Sequence, residues 1–435
     1  MDSMWNAELP RFQSLRGDKK TEVLIIGGGM AGILCAYLLH RANVPYILLE
    51  QNRICSGVTG RTTAKITSQH GAVYRKLLTQ FGQEGAALYY RANQEAVDTY
   101  RGLCTRIDCD FVEKDSYLYT PDDRKTLEQE MAALEKIGAA VDFVNHTELP
   151  FPVAGAIRFP NQGQFHPLKF VKALVKDLNI RESSPVKTFD GSRFVTDQGS
   201  VTAEKTIVAT HFPIFNKHGL YPVKLYQHRS YVLGLENAGG VEGMYMDADE
   251  KGLSFRSAGD ILLLGGGSHR TGKKGGGWAE LERFAADHYP QAGIQYRWAT
   301  QDCMSLDGVP YVGRYSPGTP NLFVATGFNK WGMTSSMVAG HILCDLVQGR
   351  ENPYAGLFDP SRSILRPQLF DNLLETTVNL LTPTVPRCPH LGCALKWNRQ
   401  EHSWDCPCHG SRFDRAGKVL DNPATGDLKN PPPER

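Results

Sequence analysis

The stretch TEVLIIGGGMAGILCAYLLHRANVPYILLE, residues 21–50, leaves the chain few ways to fold. Val23 to Ile26 is an aliphatic, β-rich run, and Gly27, Gly29 and Gly32 follow at the spacing G-x-G-x-x-G. An apolar segment of helical length then leads into a second strand, PYILLE. A bare first position permits the tight turn, and a bare second lets the backbone approach a pyrophosphate. A bare third lets the helix pack close to the strand. The helix start offers its N–H groups and dipole to that phosphate. Glu50 ends the second strand, 18 positions after Gly32, where a carboxylate reaches ribose hydroxyls. The unit predicts a parallel α/β sheet that binds a dinucleotide.

With 435 residues the chain has room for two or three domains. A formal net charge of +2 gives no basic surplus for nucleic acid or an anionic membrane. The longest apolar run, starting at Val23, is interrupted by glycines and too short for a membrane span. The N-terminus, MDSMWNAELPRFQSLRGDKK, lacks the apolar core of a signal peptide, so a cytoplasmic protein is expected. Six cysteines are scattered (35, 55, 104, 109, 303, 344), unlike a secreted disulfide framework.

FAD and NAD share the glycine fingerprint, so other segments must separate them. RICSGVTGRTTAKITSQHG continues straight from Glu50, and TIVATHFP reads as a strand ending in Ala209 and Thr210. Further on, Asp307, Pro310 and Gly313 precede a strand that runs into Gly327, then Gly332-Met333-Thr334 and a helix. That is a second glycine-loop–helix terminus, able to stabilise negative charge on a ring or phosphate. Together these segments resemble the D-amino-acid oxidase / glycine oxidase superfamily of FAD enzymes over about residues 21–365. The resemblance implies an ADP half on Gly27, Gly29, Gly32 and Glu50, with the Val186 backbone at adenine. It implies a flavin cradle at Arg61 and Thr62, with Ala209, Thr210, Asp307, Gly327, Gly332, Met333 and Thr334 as further cofactor contacts. His70, His166, His269 and Lys330 are candidates for the flavin face; Lys330 and His70 are carried forward as catalytic candidates. Cys303 lies near where some relatives attach flavin covalently, but the spacing to the next acid differs.

The end of the chain has a different chemistry. In CPHLGCALKWNRQEHSWDCPCHGSRF (388–413), Cys388-x-His390 and Cys406-x-x-His409 form a two-plus-two set, with Cys393 and Cys408 at matched places beside it. Zinc suits both residue types, although a C-x-H start is unusual for a finger. The pattern resembles the Rieske [2Fe–2S] signature. That resemblance implies Cys388 and Cys406 on one iron, His390 and His409 on the other, and a Cys393–Cys408 disulfide clamping the two loops. Imidazoles in place of two thiolates raise the potential, to about −150 to +300 mV. Ser411 occupies the position of a hydroxyl that donates to a bridging sulfide in high-potential relatives. Phe413 stands where they often carry a donating tyrosine, so a lower potential is expected here. NPATG (422–426) resembles the proline loop that shields the cluster. A full Rieske domain has several strands before its first loop, whereas here only PQLFDNLLETTVNLLTPTVPR precedes Cys388. A module of about 50 residues is too small for a core of its own and must lean on the cluster and its neighbour.

The expected architecture is therefore α/β (α+β): a Rossmann-like FAD-binding domain with an inserted mixed substrate domain, plus a small β-rich Rieske module. FAD-binding parts are expected at about 21–79, 180–225 and 295–365, and substrate parts at about 80–180 and 225–295. A linker at 366–387 would precede the module at 388–435. Flavin takes two electrons and can release them singly, which nicotinamide cannot readily do, so a neighbouring one-electron cluster favours FAD. The expected activity is oxidation of a small amine or amino-acid-like substrate, with electrons leaving one at a time to an unidentified protein partner. The alternatives are an electron-transfer component feeding a partner oxygenase, and a redox sensor.

Overall fold

Parallel pairing begins where the glycine unit requires it. In the computed structural model, which describes residues 3–383 and 386–429, Lys19–Ile26 pairs parallel with Tyr46–Leu49 and with Gly199–Val208. Residues 384–385 of the expected linker and 430–435 of the expected module lie outside the described residues. Leu322–Thr326 continues the sheet in parallel, and Tyr311–Arg314 closes that edge antiparallel. Helices Met30–Arg41 and Gly332–Val347 pack against each other over the sheet. Buried on both sides, its strands read YILL and LFVAT without polar alternation, as parallel strands must.

The second sheet has nine strands, mostly antiparallel, in the order Gly293–Ser305, Leu225–Glu236, Ile261–Arg270, Ser254–Ala258, Met244–Asp247, Val112–Thr120, Gly155–Gln164, Lys65–Ile66, with Asp142–Val144 on the side. Two of these strands come largely from outside the expected substrate segments. Lys65–Ile66 and Gly293–Ser305 fall largely in segments assigned to the FAD-binding part, yet both hydrogen-bond into this sheet. Strand patterning tells which residues pair with a sheet's core, not which of two sheets they join.

The third sheet, Lys396–Asn398, Ser403–Asp405, Arg412–Phe413 and Val419–Asp421, forms an antiparallel meander around Leu395, Trp404, Phe413, Ala424 and Leu428. Helix Pro367–Leu381 leads into it. The module lies against the second sheet. Period-two alternation divides that sheet's edge strand Gly293–Ser305 and its neighbour Leu225–Glu236: His228, Ser230, Thr300 and Asp302 share one face, and Gln227, Arg229, Tyr231 and Gln301 share the other. The second set bonds to the module. Gln227 Nε2 donates to His409 O (2.9 Å), Gln301 Nε2 to Gly410 O (2.8 Å), and Arg229 and Tyr231 to Glu401.

Candidate active site and metal centre

A cavity of about 440 Å³ runs from the first glycine loop, past the second sheet, to the C-terminal module. Its nucleotide end is built by close approach. Gly27 has φ +113°, and a Cβ there would sit 2.4 Å from Ala209 O. A Cβ on Gly32 would fall 1.9 Å from Gly27 O. At Gly29 a Cβ would meet little but Thr59 Oγ1, so this bare backbone faces the cavity. Glu50 accepts from Gly28 N (2.7 Å) and Asn52 N (2.8 Å); burial raises its pKa and these N–H donors oppose the rise. Such a cradle of bare backbone, helix N-terminus and held carboxylate fits a dinucleotide.

Of the expected cofactor residues, Gly27, Gly29, Glu50, Arg61, Thr62, Val186, Ala209, Thr210, Gly327, Gly332 and Met333 line this cavity. Gly32, packed on Gly27, and Asp307 and Thr334 do not line it. Asp307 is buried and held by both nitrogens of Arg362 at 2.7 and 2.9 Å; burial raises its pKa, and Arg362 holds it below the ordinary value. Thr334 donates its hydroxyl to Thr67 O (3.3 Å), and its Oγ1 lies 3.0 Å from His70 Nε2, which itself donates to Thr67 O (2.8 Å). His70 itself lies between Tyr89 OH (2.8 Å) and those groups, stacked on Trp331. Burial pushes its pKa down to about 3. It is a neutral packing residue. His166 caps helix Pro167–Leu174, and His269 bonds to Tyr231 on the module side.

Lys330 does face the cavity, from a left-handed backbone position (φ +73°), a costly conformation for a non-glycine residue. Its ammonium donates to Ser268 Oγ (3.2 Å), Ser268 meets Ser230 Oγ (3.2 Å), and Ser230 donates to Asp302 Oδ2 (3.3 Å). Burial lowers the Lys330 pKa and raises that of Asp302, and each charge partly offsets the other's shift. Asp302 was not singled out in the sequence, although its neighbour Cys303 was. Cys303 also lines the cavity, with its thiol 3.6 Å from Thr326 Oγ1.

At the module, the Cys388 and Cys406 thiols are hydrogen-bonded to each other, and this bond draws the Cys388 pKa down to about 7. The His390 and His409 rings stand 5.0 Å apart and perpendicular. Nδ1 of both is buried without a hydrogen-bond partner, as two metal-ligating nitrogens would be. Burial keeps both rings neutral, the form that binds metal. His390 Nε2 bonds to Asn216 Oδ1 at 3.0 Å, and the His409 ring to the Pro222 carbonyl. Outer bonds of this kind fix imidazole orientation at metal sites. Cys393 and Cys408 form a disulfide. The sulfurs of Cys393, Cys406 and Cys408 also cluster, but a bonded pair has no thiolate to give, so this trio is a disulfide packed on Cys406. Ser411 accepts from Ala424 N (3.0 Å) and bonds to Cys388.

The family model for FAD dependent oxidoreductases matches residues 22–346. The chain belongs to that family. A Rieske [2Fe-2S] domain model matches residues 380–432 of the oxidoreductase. FAD and a [2Fe-2S] cluster are thus its cofactors, and the cradle and the ligand-like quartet fit them. The oxidoreductase is 34% identical to the Bacillus subtilis protein YhfW, named as a Rieske 2Fe-2S iron-sulfur protein, covering 98% of this chain and 96% of the other. Its fold is shared with glycine oxidase from Geobacillus kaustophilus (TM-score 0.68, 20% identity, 80% of this chain, 100% of that one). L-proline dehydrogenase from P. horikoshii shares it too (TM-score 0.66, 17% identity, 79% and 98%). Among the described residues no helix of the oxidoreductase is long and apolar enough to cross a membrane.

Residues 209–216 link cavity and module, a role the sequence did not disclose. Thr210 and His211 line the cavity, and the next residue, Phe212, lays its ring edge-on to both His390 and His409 (centroids 6.1 and 6.2 Å). His211 Nε2 meets Gln227 Oε1 (3.1 Å), and Gln227 continues to His409 O. Asn422 of the proline loop bonds Thr210 O (2.6 Å) and Phe212 O (3.1 Å), and Leu420 to Asn422 with Ala424 and Thr425 close part of the cavity wall.

Proposed function

We propose that the oxidoreductase removes a hydride from a small amine or amino-acid-like substrate, with FAD as acceptor and the Rieske cluster passing electrons singly to a partner carrier. The observation that carries this reading is the segment Thr210–Phe212, which touches the cavity at one end and both cluster histidines at the other. Edge contact of this kind is what short-range electron passage needs.

In this reading Gly27, Gly29, Gly32, Glu50 and Val186 hold the ADP half. Arg61, Thr62, Ala209, Thr210, Gly327, Gly332 and Met333 hold the flavin half. Cys388, Cys406, His390 and His409 hold the cluster. Lys330 and Asp302 bracket the substrate's reacting end. The two serines between them form a hydrogen-bonded chain along which the proton leaving the substrate nitrogen or oxygen can pass. The second sheet forms a wall of this end of the cavity. A cytoplasmic location is part of the same proposal.

The test is anaerobic mixing of the holoenzyme with a panel of small amines and amino acids, following flavin absorbance and the cluster EPR signal. A substrate that bleaches the flavin and then reduces the cluster supports the reading. Reduction by NAD(P)H alone, with every amine inert, would replace it with a reductase serving a partner oxygenase.

A further inference from the structure

Helix Pro367–Leu381 is built inside out. Its buried side chains include Asn372 and Asn379, each 2% exposed, while Phe370 (67%), Leu373 (43%), Leu374 (65%), Val378 (53%) and Leu381 (77%) face outward. The inner face is fixed by polar bonds. Arg270 Nη1 donates to Asn372 Oδ1 (3.0 Å), Asn372 Nδ2 to Val223 O (3.2 Å), Ala394 N to Asn379 O (3.0 Å), and Lys273 pairs with Glu375 (2.6 Å). These contacts fix the helix rotation, so the outward stripe cannot roll in. The outward positions recur at three- and four-residue intervals, one continuous face of the helix. Leu391, beside the cluster histidine His390, is 44% exposed and extends the patch, since the Leu380 side chain reaches over the intervening Gly392. No described segment of the chain covers the stripe.

We infer that this stripe is a two-fold interface at which a second copy of the chain packs helix on helix. Three observations select that occupant. The outward stripe of Phe370, Leu373, Leu374, Val378 and Leu381 is apolar; of the helix's two charged residues, both acidic, Asp371 is exposed at its edge and Glu375 is paired inward. A helix lying on an anionic membrane instead carries Lys or Arg on its polar face, and none lies between Pro367 and Leu381. Transient carrier proteins use small, polar-rimmed contacts, whereas homodimer contacts are the apolar ones. The six exposed side chains amount to between three and four whole side chains, roughly 500 Å² per copy. Doubled across the axis this reaches the ~1,000 Å² that a specific interface needs. A face that packs on its own copy is isologous, which closes at two subunits. The cluster loop then lies at the rim of the dimer. The inference goes beyond the proposed activity and does not depend on it.

Sedimentation of the full-length holoprotein at ~10 μM tests this. The wild type is expected at twice the 48.3 kDa chain mass, and Phe370→Glu and Leu374→Glu are expected to shift the dimer midpoint at least 100-fold towards monomer. Flavin and cluster absorbance per chain report that the variants remain folded. Thr377→Cys, in the exposed stripe, is expected to give a covalent dimer on oxidation. A monomeric wild type overturns the inference, as does a dimer indifferent to both Glu substitutions. Flotation of a monomeric wild type with phosphatidylglycerol vesicles, lost in Leu374→Glu, would assign the stripe to a membrane.

Discussion

Glu401→Gln should loosen the Rieske module from the oxidoreductase without unfolding either. The Glu401 carboxylate is nearly buried in the hairpin turn of the module. It receives Arg229 Nε (2.9 Å) and Nη2, Tyr231 OH (3.1 Å) and Arg412 Nη2 (2.8 Å). Arg412 would keep Asp405 (3.0 Å) and Asp421 (2.9 Å). Arg229, only 2% exposed, would keep just Asp421 at 4.0 Å, and its Nη1 already has no hydrogen bond. Breaking a buried pair from one side costs about 3–5 kcal/mol; glutamine retains one acceptor, so the lower figure applies, ~150-fold in the docking constant. Native-state hydrogen exchange of the holoprotein reads this directly. Amides of 396–413 should lose ~150-fold protection while those of the nucleotide sheet keep theirs. Replacing both partners, Arg229→Met with Glu401→Leu, should restore most of the loss, because apolar residues of similar volume do not need the bond. A double variant as loose as the single one, or a single one within threefold of wild type, would refute the reasoning. Acid gives an independent check. Burial raises the Glu401 pKa, but Arg229 and Arg412 outweigh it and hold it below the ordinary 4.5. The docking energy is therefore present above pH 4.5 and lost as pH falls through the folded value.

Gly32→Ala should purify with less than about one-tenth of the flavin, since its Cβ would meet Gly27 O at 1.9 Å and open the phosphate turn; stoichiometric flavin would refute this. Ser411→Ala removes a donor to Cys388 and orphans Ala424 N, so a redox titration should give a lower cluster midpoint, and an unchanged midpoint would count against the bond. Glu130, buried under Tyr74 N (2.6 Å) and Arg75 N (2.9 Å), has its pKa pushed up to about 7 by burial, with those donors opposing. A raised carboxyl pKa means the folded state holds the proton longer, so stability should fall by up to about 3 kcal/mol between pH 4.5 and 7. Glu130→Gln should flatten that part of the Tm profile, and a slope that survives the substitution would assign it elsewhere.

The placement of many candidate residues was legible because they carry local constraints. Gly27 and Gly32 are demanded by contacts within one strand–turn–helix unit, and Cys388, His390, Cys406 and His409 by two short loops. Asp307 misled because a buried acid after a strand suits a cofactor and a salt bridge equally, and its partner Arg362 lies 55 residues on. His70 misled for a related reason: a histidine after a glycine-rich loop faces the cofactor or packs behind it according to a rotation that sequence does not encode. Lys330 was readable from its place in the second glycine loop, whereas Asp302 needed the register of Gly293–Ser305 against Leu225–Glu236 before it could be put opposite a lysine.

That same register explains how half a Rieske module can stand. An antiparallel strand with alternating polar residues ordinarily turns them to water, so Gln227, Arg229 and Gln301 read as a solvent face. Here they bind the cluster loops instead: Gln227 the His409 carbonyl, Gln301 the Gly410 carbonyl, and Arg229 the Glu401 turn. Just one or two residues along the same strands, Ser230, Thr300 and Asp302 face the cavity. One sheet is thus a wall of the cavity and the platform on which the module rests. A one-residue slip between these two strands would exchange the two faces and cost both sites together. The module's short length and the polar back of this sheet are two sides of one interface.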